Sequence, residues 1–286
     1  MKKVIIVTGT SSGLGLSLAI KLAKEGHCVY ATMRHLTKQT TLVDAAKAHA
    51  VSLHIKQLDV QDTASVKQCI SEIIKEQGRI DCLINNAGMG FIKSTEQATE
   101  AEIQQIMDIN FMGVVRCIKE VLPHMRKAKH GHIINISSVG GLVGQPLNEI
   151  YCASKFALEG YTESMATYIQ PTFNVKFTLI EPGGITSEFA NNIFAQPSSP
   201  HSEVTDEYAP ILQKYLHGAK ERLSSQSDSV YQDSDEVAEC IVDVVNSANP
   251  PLRVRSSNWA NDFCQLKTQA DPDGTRLVKK VQELFL

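Results

Sequence analysis

Short β-branched runs alternate with longer amphipathic stretches through most of this chain, and few folds accept that rhythm. Val4 to Thr8 precedes helical sequence from Gly13 to Glu25, and Cys28 to Thr32 precedes Thr40 to Ala48. Leu53 to Leu58 leads into a helical pattern from Thr63 to Glu76, and Cys82 to Asn85 into one from Glu100 to Arg126. Ile133 to Ile136 is followed by a helix ending at Ile169, before Pro171, and then by Val175 to Ile180. Parallel strands cannot be joined by tight hairpins, so each return crosses over through a helix. The pattern therefore predicts an α/β domain, a parallel sheet with helices on both faces. A last helix from Ser234 to Asn246 and a short strand from Leu252 to Val254 extend the series. With 286 residues and 43% apolar content, one large domain can bury its own core.

Residues 184 to 232 break the rhythm, and so long an interruption is either a disordered insert or a functional loop. Its Phe189, Ile193, Phe194, Tyr208, Ile211, Leu212 and Tyr215 favour a lid over an apolar pocket. Residues 256 to 286 form a polar C-terminal extension with one helical pattern from about Thr275.

A net charge of −3 without a long run of one sign gives no electrostatic case for nucleic acid or an anionic membrane. The cations Arg126, Lys127 and Lys129 close a helix, where they offset its dipole. Seven cysteines without a Cys-x-x-Cys spacing read as reduced thiols in a cytoplasmic protein, and no metal is expected. The N-terminal strand is too short for a signal segment, and no apolar stretch approaches the roughly 18 residues of an integral membrane span.

Between the first strand and the first helix stands Thr8-Gly9-Thr10-Ser11-Ser12-Gly13-Leu14-Gly15. Gly9 and Gly13 permit a tight turn close to a phosphate, Gly15 allows helix and strand to pack closely, and the helix N-terminus offers N–H groups to an anion. The same stretch formally matches the G-x-S-x-G elbow of serine hydrolases, with Ser11 as nucleophile and His201 or His217 as base. Too little chain precedes it to supply the oxyanion loop. After the second strand, a ribose-binding acid would mark an NAD site. No acid occurs between Glu25 and Asp44, whereas Arg34 suits a 2′-phosphate, so NADP(H) is expected.

Tyr151 and Lys155 stand four residues apart at the start of a helix, hence on one face. An ammonium beside a phenol is expected to stabilise the phenolate and lower its pKa from about 10. Ser138, just beyond the fifth strand, could hydrogen-bond the same substrate oxygen. Three groups would then converge on one atom, an arrangement suited to general acid/base chemistry.

In order along the chain, Thr8-Gly-x-x-x-Gly-x-Gly, Leu58-Asp59-Val60, Asn85-Asn86-Ala87-Gly88, Asn110, Ile136-Ser-Ser138, Tyr151-x-x-x-Lys155 and Pro182-Gly183 closely resemble the classical short-chain dehydrogenase/reductase family. Val29 to Leu36, Val139-Gly-Gly-Leu, Tyr151 to Gly160 and Leu179 to Gly183 look like its 17β-hydroxysteroid dehydrogenase type 1 and retinol dehydrogenase branch. The resemblance implies a single Rossmann-like, doubly wound domain with about seven parallel strands, and hydride transfer between NADP(H) and an apolar alcohol or ketone. It implies that Tyr151 exchanges the proton, Lys155 lowers its pKa and holds the nicotinamide ribose, Ser138 steadies the oxygen and Asn110 relays protons through water. Thr8, Gly9, Ser11, Ser12, Gly13, Leu14, Gly15, Arg34, Asp59, Val60, Asn86, Ala87, Gly88, Pro182, Gly183, Ile185 and Thr186 would line the cofactor site. A homodimer or homotetramer is implied through the two long helices, 100 to 126 and 150 to 169. A catalytically idle NADP-binding sensor or scaffold of the same fold is the rival reading.

Overall fold

The computed structural model describes residues 2–186, 207–224 and 230–285. Its main sheet has seven parallel strands: β1 (Val4–Thr8), β2 (Cys28–Met33), β3 (His54–Gln57), β4 (Cys82–Asn85), β5 (Gly131–Ile136), β6 (Val175–Glu181) and β9 (Arg253–Arg255). They lie in the order β3-β2-β1-β4-β5-β6-β9. The order reverses between β1 and β4, and at such a switch point the loops beyond the strand ends part to leave a crevice.

Helices α1 (Gly13–Lys24), α2 (Thr40–Ala48) and α8 (Ser234–Asn246) cover one face of the sheet. The other is covered by α3 (Thr63–Gln77), by α5 (Gly113–Ala128), which continues α4 (Glu100–Met107), and by α6 (Glu149–Phe173). Strands β1, β2, β4 and β5 are buried along their whole length, which is why they read as unbroken apolar runs rather than alternating ones. Burial of side chains such as Phe177, Ile6 and Leu83 contributes about 1.5–3 kcal/mol each.

Three local results depart from the sequence expectations. Helix α6 runs through Pro171 to Phe173 instead of ending before it. So close to the C-terminus the proline removes little, and Asn174, in the left-handed region, closes the helix by donating to the Gln170 carbonyl. Within the supposed insert, Ala209–Ser224 is a helix, α7, and Gly184–Thr186 (β7) pairs in parallel with Tyr231–Asp233 (β8). Phe189, Ile193, Phe194 and His201 lie outside the described residues. The C-terminal extension carries two helices, α9 (Asn258–Thr268) and α10 (Thr275–Phe285), the first of which the polar composition concealed.

Gly9 (φ +72°) and Gly13 (φ +54°) take the left-handed turn the loop needs. A Cβ on Gly15 would fall against the Gly9 carbonyl and 2.5 Å from Asn86 Nδ2, so α1 can approach β1 only without a side chain there. Gly15→Ala is expected to destabilise by about 1–3 kcal/mol, since backbone must move to admit the methyl group. Thermal unfolding measures this, and an unchanged Tm would contradict it.

Candidate active site

A cleft of about 900 Å³ opens at the switch point, from the glycine loop and Arg34 at one end to Tyr151 and Trp259 at the other. Behind it, a buried polar chain fixes α6 to the sheet. Asn85 Nδ2 donates to Asn135 Oδ1 at 2.8 Å, Asn135 Nδ2 to Thr162 Oγ1 at 2.9 Å, and Thr162 Oγ1 to the Leu158 carbonyl at 2.7 Å. This alignment presents Tyr151 and Lys155, one turn apart, to the cleft.

Tyr151 and Ser138 are hydrogen-bonded to each other. A Cβ on Gly140 would lie 3.3 Å from Tyr151 Cε1, 3.4 Å from Ser138 Oγ and 3.4 Å from Gln145 Nε2, so these three side chains converge over that glycine. Ser138 is aimed by its second bond, accepting from Gly140 N at 3.0 Å. The Tyr151 ring is open to the cleft on one side. Protein around its hydroxyl nevertheless withdraws enough water to push the phenol up to about 12, against the pull of the Ser138 hydrogen bond.

This overturns the expectation that the lysine lowers the phenol's pKa. The Lys155 ammonium sits 5.7 Å from the Tyr151 ring centroid and donates to the Ile136 carbonyl at 2.8 Å. Its own burial draws it down to about 8, opposed by the charge of Glu159. It therefore remains protonated at pH 7. In the unfolded chain this lysine holds its proton to about 10.4. The unfolded state thus binds more protons between pH 8 and 10, and this site's contribution to stability rises with pH across that window.

Asn110 lies in a π turn, Asp108–Met112, joining α4 to α5. Such widened turns break the regular backbone bonding and recur at functional sites. The Asn110 side chain is buried and fully engaged by its neighbours. Its Oδ1 accepts from Met89 N at 2.8 Å, and its Nδ2 donates to Met89 O at 2.8 Å and Ser154 Oγ at 3.1 Å. It thereby fixes the loop after β4.

Of the expected cofactor residues, Gly9, Ser11, Ser12, Gly13, Leu14, Gly15, Arg34, Asp59, Val60, Asn86, Ala87, Gly88, Pro182, Gly183 and Ile185 all line the cleft. Thr8 is buried behind the loop, where its hydroxyl accepts from Asn86 N and Ala87 N, both at 3.0 Å. Asn86 braces the same loop by donating to Thr8 O at 2.8 Å and Gly9 O at 3.0 Å. Thr186 is exposed at the end of β7 and does not line the cleft.

These residues fit a dinucleotide. The first turn of α1 carries no acidic residue, and its Ser12 cap makes no side-chain bond to the helix, leaving backbone N–H groups directed at the cleft. Arg34 and Lys38 are exposed beside Ser11 and Ser12, and among the described residues their cationic heads have no partner.

A model of the short chain dehydrogenase family matches residues 3–198. The chain is a short-chain dehydrogenase/reductase. Human retinol dehydrogenase 8 is 40% identical over 99% of the chain and 90% of its own length. Human 17-beta-hydroxysteroid dehydrogenase type 1 is 34% identical over 99% of the chain and 86% of its length. Among solved structures, a short-chain dehydrogenase from Streptomyces avermitilis has a TM-score of 0.77 and 27% identity, covering 99% of this chain and 97% of that one. With the family comes oxidoreductase chemistry on alcohol or keto groups with a nicotinamide dinucleotide.

The short-chain dehydrogenase reading displaces the hydrolase. Ser11 stands in the glycine loop of the family's fold, and His217 is not among the cleft residues. Tyr215 of the expected lid lines the far end of the cleft, but several lining residues escaped sequence reasoning: His35 and Lys38 near Arg34, Gln145 beside Ser138, and Tyr231, Trp259 and Phe263 at the far end. Trp259 stacks on Phe263 with centroids 4.7 Å apart and packs over Gly183. The chain's single tryptophan, standing in a polar tail, was the signal that could have found this wall. Among the described residues no His, Cys, Asp or Glu cluster could hold a metal ion, and no helix is long and apolar enough to cross a membrane.

Proposed function

We propose that this short-chain dehydrogenase moves hydride between NADP(H) and a large apolar alcohol or ketone, steroid-, retinoid- or lipid-like, with Tyr151 exchanging the proton. The observation that carries the reading is the convergence of Ser138 and Tyr151 midway along a cleft with free cations at one end and aromatic residues at the other. When bound, the dinucleotide supplies or accepts the hydride. Ser138 orients the carbonyl oxygen, Tyr151 donates to it, and Lys155 keeps positive charge beneath the phenol. Pro146, Tyr215, Val230, Trp259 and Phe263 exclude water from an apolar substrate, an apolar lining with few polar groups being the usual make-up of such a site. An idle sensor would use the cationic end but has no use for a hydrogen-bonded Ser138–Tyr151 pair.

Steroid, retinoid and fatty-acyl carbonyls, followed by loss of NADPH absorbance, test the reading. Turnover of at least one class is expected, and activity confined to small charged or highly hydroxylated compounds would overturn it. Carbonyl reduction is expected to hold through neutral pH and to fall above about pH 8, because Lys155 titrates there while Tyr151, near 12, stays protonated. A rate that still climbed between pH 8 and 9.5 would contradict that order.

The exposed Met112, Phe156 and Tyr168 on the two long helices support assembly as a homodimer or homotetramer. Phe156→Glu is expected to shift sedimentation toward the single 31.4 kDa chain. An unchanged coefficient would place the interface elsewhere. Six buried, unpaired cysteines and one half-buried suit the reducing cytoplasm.

A further inference from the structure

Directly behind the active site lies a charged cluster that the chemistry above does not use. Glu159 projects one turn beyond Lys155 on α6, and Glu181 ends β6 immediately before Pro182. The two residues are 4% and 0% exposed. From β9, Arg253 Nε donates to Glu159 Oε2 at 3.0 Å, and its Nη2 to Glu163 Oε2 at 2.8 Å. Arg255 Nη1 donates to Glu181 Oε2 at 2.8 Å. Three carboxyl groups thus meet two guanidinium groups. Fully ionised, the cluster would hold one more negative than positive charge out of water, with only the Lys155 ammonium left to offset it, and bringing so many charges together in the interior is expensive.

The orphaned atoms show how that charge is relieved. The Glu159 and Glu181 carboxyls are drawn together at one donor, Arg253 Nε standing 3.0 Å from Glu159 Oε2 and 3.4 Å from Glu181 Oε1, and two carboxylates can only accept. One oxygen of each, Glu159 Oε1 and Glu181 Oε1, makes no hydrogen bond, the ion pair of Glu181 Oε1 with Arg253 Nε being unaligned, and Ser137 Oγ lies against Glu159 without an aligned bond. A proton between the carboxyls would give one of these buried oxygens the donor it lacks and reduce the charge held out of water.

We propose that Glu159 and Glu181 share one proton, and that this pair is a positioning device for Lys155, tying its turn of α6 to the end of β6 that lines the cleft. The inference rests on the reading of Lys155 as part of the active site. Burial raises both carboxyls, Glu181 to about 8, and the Glu159 charge opposes the loss of the Lys155 proton. The charged and titratable groups facing the pair are Lys155 and Glu163 on α6, Arg253 and Arg255 on β9, and Cys264 on α9. Folding raises these carboxyl pKa values. The stability due to the shared proton is therefore complete below about pH 4.3 and is lost as pH rises toward 8.

Infrared spectroscopy of the full chain without dinucleotide tests the first half. The carbonyl stretch of a protonated carboxylic acid is expected at pH 6.5, shifting in heavy water and fading as pH passes about 8. It should be absent from both E159Q and E181Q. No such band in the wild type, or a band persisting in both variants, would overturn the shared proton. Should either variant fail to fold, the pH course of the wild-type band decides.

The ε-carbon NMR titration of Lys155, assigned by its loss in Lys155→Arg, tests the second half. In E159Q the remaining charge sits on the more distant Glu181, so the lysine midpoint should fall by about one unit. In E181Q the charge is confined to Glu159, and the midpoint should hold or rise. A merely structural clamp would move both the same way, and that result would overturn the positioning role. Neither measurement uses turnover, so failure of the proposed substrate class remains distinguishable from failure of this inference.

Discussion

Tyr151→Phe is expected to cut turnover by about 10²–10⁴-fold, the usual contribution of a positioned general acid, and to leave dinucleotide affinity unchanged. The substitution removes one oxygen and leaves the ring, whose Cε1 packs over Gly140, in place. What is lost is the proton itself and the partner of Ser138. Burial holds the phenol near 12, so at neutral pH the wild-type hydroxyl is fully protonated and ready to donate to a carbonyl. Alcohol oxidation makes the opposite demand, and its rate should rise with pH well beyond neutrality. Single-turnover NADPH consumption, measured where chemistry limits, separates the proton step from cofactor binding. If the Phe variant kept more than about a tenth of the wild-type rate with every substrate, proton transfer would belong to another group.

Most of the architecture was legible because its determinants are local. Val4 to Thr8 and Cys82 to Asn85 are buried on both faces, so their strand character shows as uninterrupted apolar sequence, and Gly9 and Gly15 mark a turn that side chains would block. The site was legible as a list of residues but not as a set of contacts. The spacing of Tyr151 and Lys155 places them on one face, yet it does not reveal that Lys155 turns to the Ile136 carbonyl or that burial pushes the phenol up. Asn110 shows the same limit, since its π turn and its bonds to Met89 arise from packing between α4 and the loop after β4. The Glu159–Glu181 contact joins residues from α6 and β6 and depends on arginines from β9, so no window of sequence contains it. Trp259 and Phe263 were missed because a polar stretch can still bury one face, as Ala260 and Cys264 on α9 do.

Arg34→Asp is expected to reverse the cofactor order, turning a preference for NADPH into one for NADH. Arg34 follows β2, exposed at the rim of the cleft beside Ser11 and Ser12, and its guanidinium makes no hydrogen bond or ion pair among the described residues. A planar fork held free at that position is suited to a 2′-phosphate. A charge-assisted hydrogen bond contributes about 1.5–3 kcal/mol, so losing it should weaken NADPH roughly ten- to a hundredfold. The new carboxylate acts twice: it repels the 2′-phosphate and can accept from the 2′-hydroxyl of NADH, supplying the repulsion that specificity switches require. Lys38 lines the same corner, so Lys38→Ala should weaken NADPH as well, by a smaller factor because an ammonium makes no bidentate contact. Titration of both dinucleotides at fixed ionic strength, with wild type and each variant, measures the order directly. Equal or tighter binding of NADH by the wild type would refute the assignment. An Arg34→Asp variant with unaltered affinities would show that Ser11, Ser12 and the α1 N-terminus hold either dinucleotide without the arginine.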